Sequence, residues 1–275
     1  MRNASDQMTR DNVAEWNDST VAMLAMRKGL IGSLPLLYTD LVRITGGPVL
    51  SLCSGLGMRA IQFARAGIQA TCIDLSEAMI SYTRRLLKEE EPSTRRLVEL
   101  RCADVREPVA HEKFGLIILE DWDFAQLLTQ DDQLACLAAI REGLTPKGLA
   151  VLDLFSPYYK TCRDHVLTGE PVIFDSTSSD GLLNRRTSIS QFDHLTQIET
   201  MQVLFEVYDG DRKITEHRTA WKLRHTGLWE LELLLKTSGL RPVLRCPDFV
   251  FDSALDEQPP FDHATDDFAY ILARA

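Results

Sequence analysis

From residue 47 to residue 155 the chain alternates short β-rich runs with longer stretches of helical spacing. "PVLSLC" leads into "MRAIQFARAG", "ATCIDL" into "SEAMISYTRRLLKEEE", and "LVELRCADV", "FGLIILED", "DDQLACLAAIREGL" and "GLAVLDLF" complete the series. Parallel neighbours need a long crossover between them, so this alternation predicts a parallel sheet with helices on its faces. The runs "VLSLC", "LIILE" and "LAVLDL" lack polar alternation, as expected of strands buried on both sides. The expected core is a doubly wound, Rossmann-like α/β domain. Local punctuation agrees: Ser76 is placed to cap the helix after Leu75, Gly67 to end the helix before it, and "LTPKG" at 144–148 to close a helix with a turn before the next strand.

The flanks differ in texture. Val13, Trp16, Val21, Leu24, Met26, Leu30 and Leu34 recur at helical spacing, which predicts two or three helices over one end of the sheet, either as core packing or as a lid. Between 170 and 225 the pattern turns to alternating β-type segments with a hairpin turn at Tyr208 to Asp211, so an antiparallel sheet is expected after the fifth core strand. "TGLWELELLLKTSGL" then returns as a helix, and "PVLRCPDFVFDS" and "DDFAYILARA" supply a sixth and seventh core strand. The expected organisation is an N-terminal helical lid (1–46), a core (47–155 and 227–275) and an inserted antiparallel sheet (156–226).

The chain has 40 acidic and 30 basic residues, a formal charge of -10, and no basic cluster longer than a pair. That balance repels phosphate backbones and anionic lipid, so neither nucleic acid nor membrane is an expected partner. Cysteines 53, 72, 102, 136, 162 and 246 form no Cys-x-x-Cys and stand at no metal-ligand spacing from a histidine, so they read as reduced core thiols without a metal. "MRNASDQMTRDNVAEWND" is too polar for a signal peptide, and no window approaches the ~18 apolar residues of a membrane span; a cytoplasmic protein is expected.

"VLSLCSGLG" is an apolar run that breaks into a small-residue loop, at the place where an open α/β sheet binds its ligand. Gly55, Gly57 and Ala60 fit the dinucleotide pattern, and Asp74 ends the second strand at the spacing of a carboxylate that takes ribose hydroxyls. On these residues alone a nicotinamide site and other adenosine sites remain open. Three further features bear on the choice: "CADV" places Asp104 at the end of the third strand, "EDWDF" ends the fourth, and the last two strands join the sheet edge instead of building a second nucleotide-binding half.

With those residues in place the chain resembles the class I S-adenosylmethionine-dependent methyltransferases of small-molecule type, over roughly 47–155 and 227–275. The resemblance implies that the loop Ser51 to Gly57, with Cys53, Ser54, Gly55 and Gly57, passes under the methionine part of S-adenosylmethionine. It implies that Asp74 holds the ribose hydroxyls, Leu75 and Met79 flank the adenine, and Asp104 with Ala103 and Val105 faces the adenine edge. Glu120, Asp121 and Trp122 would close the pocket near the sulfonium. Two positions depart from the family pattern: Ser51 stands where an acid is usual, and Cys53 replaces the first glycine. A buried, uncompensated loss of that anion would weaken one contact by ~1 to 3 kcal/mol.

Methyl transfer is an in-line displacement that chiefly requires alignment, with a general base only for a protonated acceptor. Asp121, Asp123 and His165 are the catalytic candidates, although loop acids in solvent are an equally ordinary reading of the first two. Trp16, Tyr158, Tyr159, His165 and Arg224 are candidates for the acceptor pocket, and the inserted sheet either roofs that pocket or pairs two subunits. The resulting expectation is methyl transfer to N or O of a small metabolite, with S-adenosylhomocysteine as co-product. A NAD(P)-dependent oxidoreductase and a non-catalytic cofactor-binding relative are the alternatives.

Overall fold

Five strands run parallel in the core: β1 (Val49–Leu52), β2 (Ala70–Asp74), β3 (Val98–Cys102), β4 (Phe114–Leu119) and β5 (Leu144–Phe155). The structure is a computed structural model that describes residues 17, 20–21, 33–109, 113–155, 169–178, 181–247 and 267–275. Helix α1 (Leu36–Thr45) precedes β1. Helices α2 (Met58–Arg65), α3 (Glu77–Glu89), the single turn α4 (Pro92–Arg95) and α5 (Gln130–Gly143) serve as crossovers. β10 (Leu240–Pro247) and β11 (Asp267–Arg274) join antiparallel, giving the order β10-β11-β5-β4-β1-β2-β3.

Alternate residues of the central strands feed two cores. On one face Leu37, Tyr38 and Leu41 of α1 and Ala60 and Phe63 of α2 pack on Val49, Leu116, Ile118 and Val151. On the other, Leu137 and Ile140 of α5 and Leu231 and Leu235 of α6 (Leu228–Ser238) pack on Leu50, Leu52, Ile117, Leu119 and Leu152. Every residue of β1 and β4 is buried, which is why these runs show no polar alternation.

The expected caps form. The Ser76 hydroxyl accepts the Met79 N–H at 3.3 Å to start α3, and Gly67 at φ +83° follows the end of α2. Two details differ from the sequence reading. Leu144 already pairs with Phe114, and the pairing resumes at Leu149 with Leu116, so Thr145 to Gly148 form an irregularity within β5 and not a turn before it. Cys102 is exposed, because β3 is the edge strand and only part of it faces a helix; Cys53, Cys72 and Cys136 are free thiols, and Cys162 lies outside the described residues.

Between β5 and α6 the chain builds a second, antiparallel sheet: β6 (Val172–Thr177), β7 (Leu183–Asp193), β8 (Ile198–Asp209) and β9 (Arg212–Arg224), in that order. Asp209 pairs with Arg212 across Gly210 and Asp211, the anticipated hairpin. A polar seam joins this sheet to the core. The buried Arg224 guanidinium donates to Gln133 Oε1 (3.1 Å), Thr226 Oγ1 (3.3 Å), Gln197 Oε1 (2.9 Å) and Glu230 Oε1 (2.7 Å). His225 and Glu199, both buried, meet beside it at 2.7 Å.

Candidate functional site

Strand β1 lies between β2 and β4, so the chain leaves it in opposite directions on its two sides and opens a crevice at the carboxyl ends. The loop after β1 floors that crevice. Its Ser54 N–H bonds Ile73 O (2.9 Å), its Gly57 N–H bonds Ser54 O (2.8 Å), and its Gly55 N–H bonds Asp74 Oδ2 (2.8 Å). The other Asp74 oxygen accepts the Ser76 N–H at 2.8 Å, so one carboxylate ties the loop to the start of α3. Burial pushes the Asp74 pKa up to about 6, against the two backbone N–H groups, which favour the ionised form. A carboxylate oxygen has two lone pairs, so each keeps an acceptor position beyond its backbone bond.

The two glycines of the loop have separate reasons. At Gly57 (φ +69°) a Cβ would stand 2.1 Å from Cγ2 of Thr83, so the passage of α3 over the loop demands glycine. At Gly55 (φ +52°) a Cβ would meet only Cys53 O, at 3.9 Å, so that residue faces open space. Cys53 keeps the left-handed conformation of a glycine, φ +45°, with a side chain attached. Its thiol is held protonated: burial, then the carboxylates of Asp123 and Asp74, push its pKa well above the ordinary thiol value, and Asp104 adds to them.

The ends of β3 and β4 supply the remaining walls. Ala103 and Val105 pack against the core, Leu75 is 37% exposed, and Met79 is buried with Leu56 and with Val21 of the N-terminal segment. Asp104 is already engaged: Arg106 clamps it through Nε (3.0 Å to each oxygen), Nη2 (2.6 Å) and its backbone N–H (2.9 Å), and reaches Asp132 at 2.7 Å. After β4, Asp121 (φ +55°) and Trp122 (φ +62°) are successive non-glycine residues in the left-handed region, a strain of order ~1 kcal/mol each. The turn is held by the Asp121 N–H on Asp153 Oδ2 (3.2 Å), the Asp123 N–H on Glu120 O (3.1 Å) and a side-chain bond from Gln126 to Asp123. Trp122, 41% exposed, lines a small hollow with Phe124, Leu154, Arg224 and Thr226.

Glu120 brings in two residues that the sequence reading did not single out. The Tyr38 hydroxyl donates to Glu120 Oε1 at 2.7 Å, and Arg59 donates to the same carboxylate through Nε (3.1 and 3.0 Å) and Nη2 (3.0 Å). Tyr38 sits at an apolar helical position and Arg59 on the first turn of α2, so only the fold reveals that they meet. Trp16, Tyr158, Tyr159 and His165 lie outside the described residues. Among the described residues no cluster of three His, Cys, Asp or Glu side chains could hold a metal ion.

The family model described as a methyltransferase domain matches residues 49–148, from β1 into β5. That stretch, over a third of the chain, is similar to a methyltransferase domain. The antiparallel β11, beside β5, stands where a dinucleotide fold would continue with parallel strands. The curated protein YqeM of Bacillus subtilis is 26% identical over 113 residues, 41% of this chain and 44% of its own length, so the chain matches less than half of that relative. Among solved structures, the CcbJ methyltransferase from Streptomyces caelestis superposes with a TM-score of 0.68 at 22% identity, covering 86% of this chain and 87% of its own. The S-adenosylmethionine-bound CalS10, an amino pentose methyltransferase from Micromonospora echinaspora involved in calicheamicin biosynthesis, gives 0.62 at 16% identity, with coverage of 93% and 91%. Likeness at these identities extends to the fold.

The residues at the switch point fit an adenosyl sulfonium compound. Asp74 retains acceptor positions suited to a ribose diol. The Ser54 hydroxyl is buried beside the Cys72 thiol without an oxygen or nitrogen partner among the described residues. The Cys53 thiol feels the negative charge of Asp123 and Asp74, a field that disfavours a pyrophosphate there.

Proposed function

We propose that this chain transfers a methyl group from S-adenosylmethionine to a nitrogen, or else an oxygen, of a small metabolite. The observation that carries the reading is the Asp74 bridge: one buried carboxylate fixes the glycine loop through Gly55 and the α3 start through Ser76 while keeping acceptor capacity toward the crevice. When bound, the cofactor supplies an electrophilic methyl group on sulfur. The chain's part is to orient. Asp74 takes ribose hydroxyls, Leu75 and Met79 cover the base, and the Ala103 to Val105 segment borders it with Asp104 held by Arg106. Asp121, Trp122 and Asp123, on the left-handed turn after β4, would border the acceptor side. Amines are favoured because carboxylates at that rim would attract a protonated amine and accept its proton; the amino pentose methyltransferase of the same fold is consistent with this. His165, Tyr158, Tyr159 and Trp16 remain proposed acceptor contacts. Arg224 borders the Trp122 hollow, so it would shape the acceptor pocket chiefly by holding the inserted sheet.

Pairing of two copies through the inserted sheet belongs to the same reading, since the edge strand β6 exposes Val172 and Ile173. Light scattering at several concentrations tests it, and a monomer throughout rejects it. The activity itself is tested by incubating the protein with S-adenosylmethionine and a panel of amino sugars and hydroxylated analogues, reading S-adenosylhomocysteine release. Turnover with an amine supports the proposal. A thermal-shift response to NAD, with none to S-adenosylmethionine or S-adenosylhomocysteine, would overturn it.

A further inference from the structure

The Arg59–Glu120 pair lies at the opposite side of the β1 loop from Asp74. The pairing register sets Leu52 beside Leu119 and Ser51 beside Cys72, so Asp74, Cys53 and Glu120 form one row along the carboxyl rim of β2, β1 and β4. Neighbouring strands are ~4.8 Å apart, so the backbones of Asp74 and Glu120 stand about 10 Å from each other across the loop. A ligand whose ribose rests on Asp74 and whose chain crosses the glycine loop toward β4 would come within reach of Glu120.

The chemistry waiting there is a fixed ion pair. Tyr38 is fully buried, and burial, then the Glu120 charge, pushes its pKa well above the ordinary tyrosine value, so its hydroxyl remains a donor. Arg59 lies over the Tyr38 ring, 4.9 Å from its centroid, and its Nη1 donates to Gln62 Oε1 at 2.6 Å. These contacts set the angle of the guanidinium fork before any ligand binds. Both charged side chains keep part of their surface open, 23% for Arg59 and 14% for Glu120. The β1 rim offers no charge of its own, since Ser51 is a buried, neutral residue. A preoriented cation beside a preoriented anion is complementary to a zwitterion, whose ammonium meets the carboxylate and whose carboxylate meets the guanidinium.

We infer that Arg59 and Glu120, positioned by Tyr38 and Gln62, form the receptor for the zwitterionic amino-acid end of the cofactor. The inference rests on the proposed function and adds which groups select a full amino-acid tail. It makes this pair the determinant that separates S-adenosylhomocysteine from adenosyl thioethers lacking the tail.

The test is calorimetric titration of the full chain with S-adenosylhomocysteine and with 5′-methylthioadenosine. Wild type should prefer the first by about a hundredfold, two charge-assisted contacts' worth of discrimination. E120Q and R59M should each weaken S-adenosylhomocysteine about tenfold or more while changing 5′-methylthioadenosine by less than about threefold. R65M, which breaks the remote Arg65–Glu90 pair, is the control and should match wild type for both ligands. Equal wild-type affinity for the two ligands overturns the inference even if neither variant folds. So does a parallel loss of both ligands in folded variants, or no loss of either. Absence of binding by wild type to both ligands would instead sink the proposed function, so the two failures are told apart.

Discussion

Ligand affinity should depend on pH through Asp74. In the free protein burial holds this carboxyl at a pKa of about 6, against 3.8 for an unburied aspartate. A ribose diol donates its hydroxyl protons, so it binds the ionised form. At pH 5 about one molecule in eleven has Asp74 ionised, so the dissociation constant for S-adenosylhomocysteine should be about tenfold weaker than at pH 7.5. Complex formation at pH 5 should release close to one proton, readable by calorimetry in buffers of different ionisation heat. The folding consequence has the opposite sense to that of a salt-bridged acid. Because the folded pKa lies above the unfolded one, the native state binds more protons, so stability is full below about pH 4 and declines as pH rises toward 6. The rise from 3.8 to about 6 corresponds to about 3 kcal/mol. The difference between wild type and D74N in urea melts across pH 4 to 7 isolates this contribution from other carboxyls. D74N should bind weakly at every pH with a flat profile. A wild-type affinity that does not change between pH 5 and 7.5, or a slope that survives in D74N, would refute the reasoning.

The loop and the seam carry further expectations. Cys53 occupies a left-handed conformation, so C53G should be more stable than C53A by about 1 kcal/mol in chemical denaturation, since both remove the thiol and only one removes the strain; the reverse order would contradict the strain. G57A should lose about 2 kcal/mol or more through φ strain and collision with Thr83, and G57A/T83A should recover part of that loss, which a purely conformational effect would not allow. R224M should destabilise by about 3 kcal/mol because Gln133, Gln197 and Glu230 lose a buried common donor; a melt within about 0.5 kcal/mol of wild type would show that the seam does not hold the inserted sheet.

The parts of this fold that could be read from sequence are those that local physics decides. The buried runs of β1 and β4, the Ser76 cap, the Gly210 hairpin and the late strands β10 and β11 each announce themselves within a few residues. The position of Asp74 at a strand end was legible because it closes the apolar run that follows the glycine loop and its helix. The Glu120 environment was not, because Tyr38, Arg59 and Glu120 are 82 and 61 residues apart and meet only when α1, α2 and β4 pack. Tyr38 at a core position looks like any apolar contact, and Arg59 on a helix looks like a solvated charge. Asp104 is an intermediate case: the acid at the end of β3 is visible, and the arginine two residues on was the available signal that its carboxylate would be clamped. In "LTPKG" the proline and glycine mark an interruption, but whether it precedes a strand or lies within one depends on pairing with Phe114.

The most direct measurement of the central claim is a crystal structure with S-adenosylhomocysteine. Ribose hydroxyls should lie within hydrogen-bonding distance of Asp74, the thioether should cross the Cys53 to Gly57 loop, and the amino-acid tail should rest at Arg59 and Glu120. A ligand whose ribose lies away from Asp74, or crystals that take up NAD in that crevice instead, would contradict it.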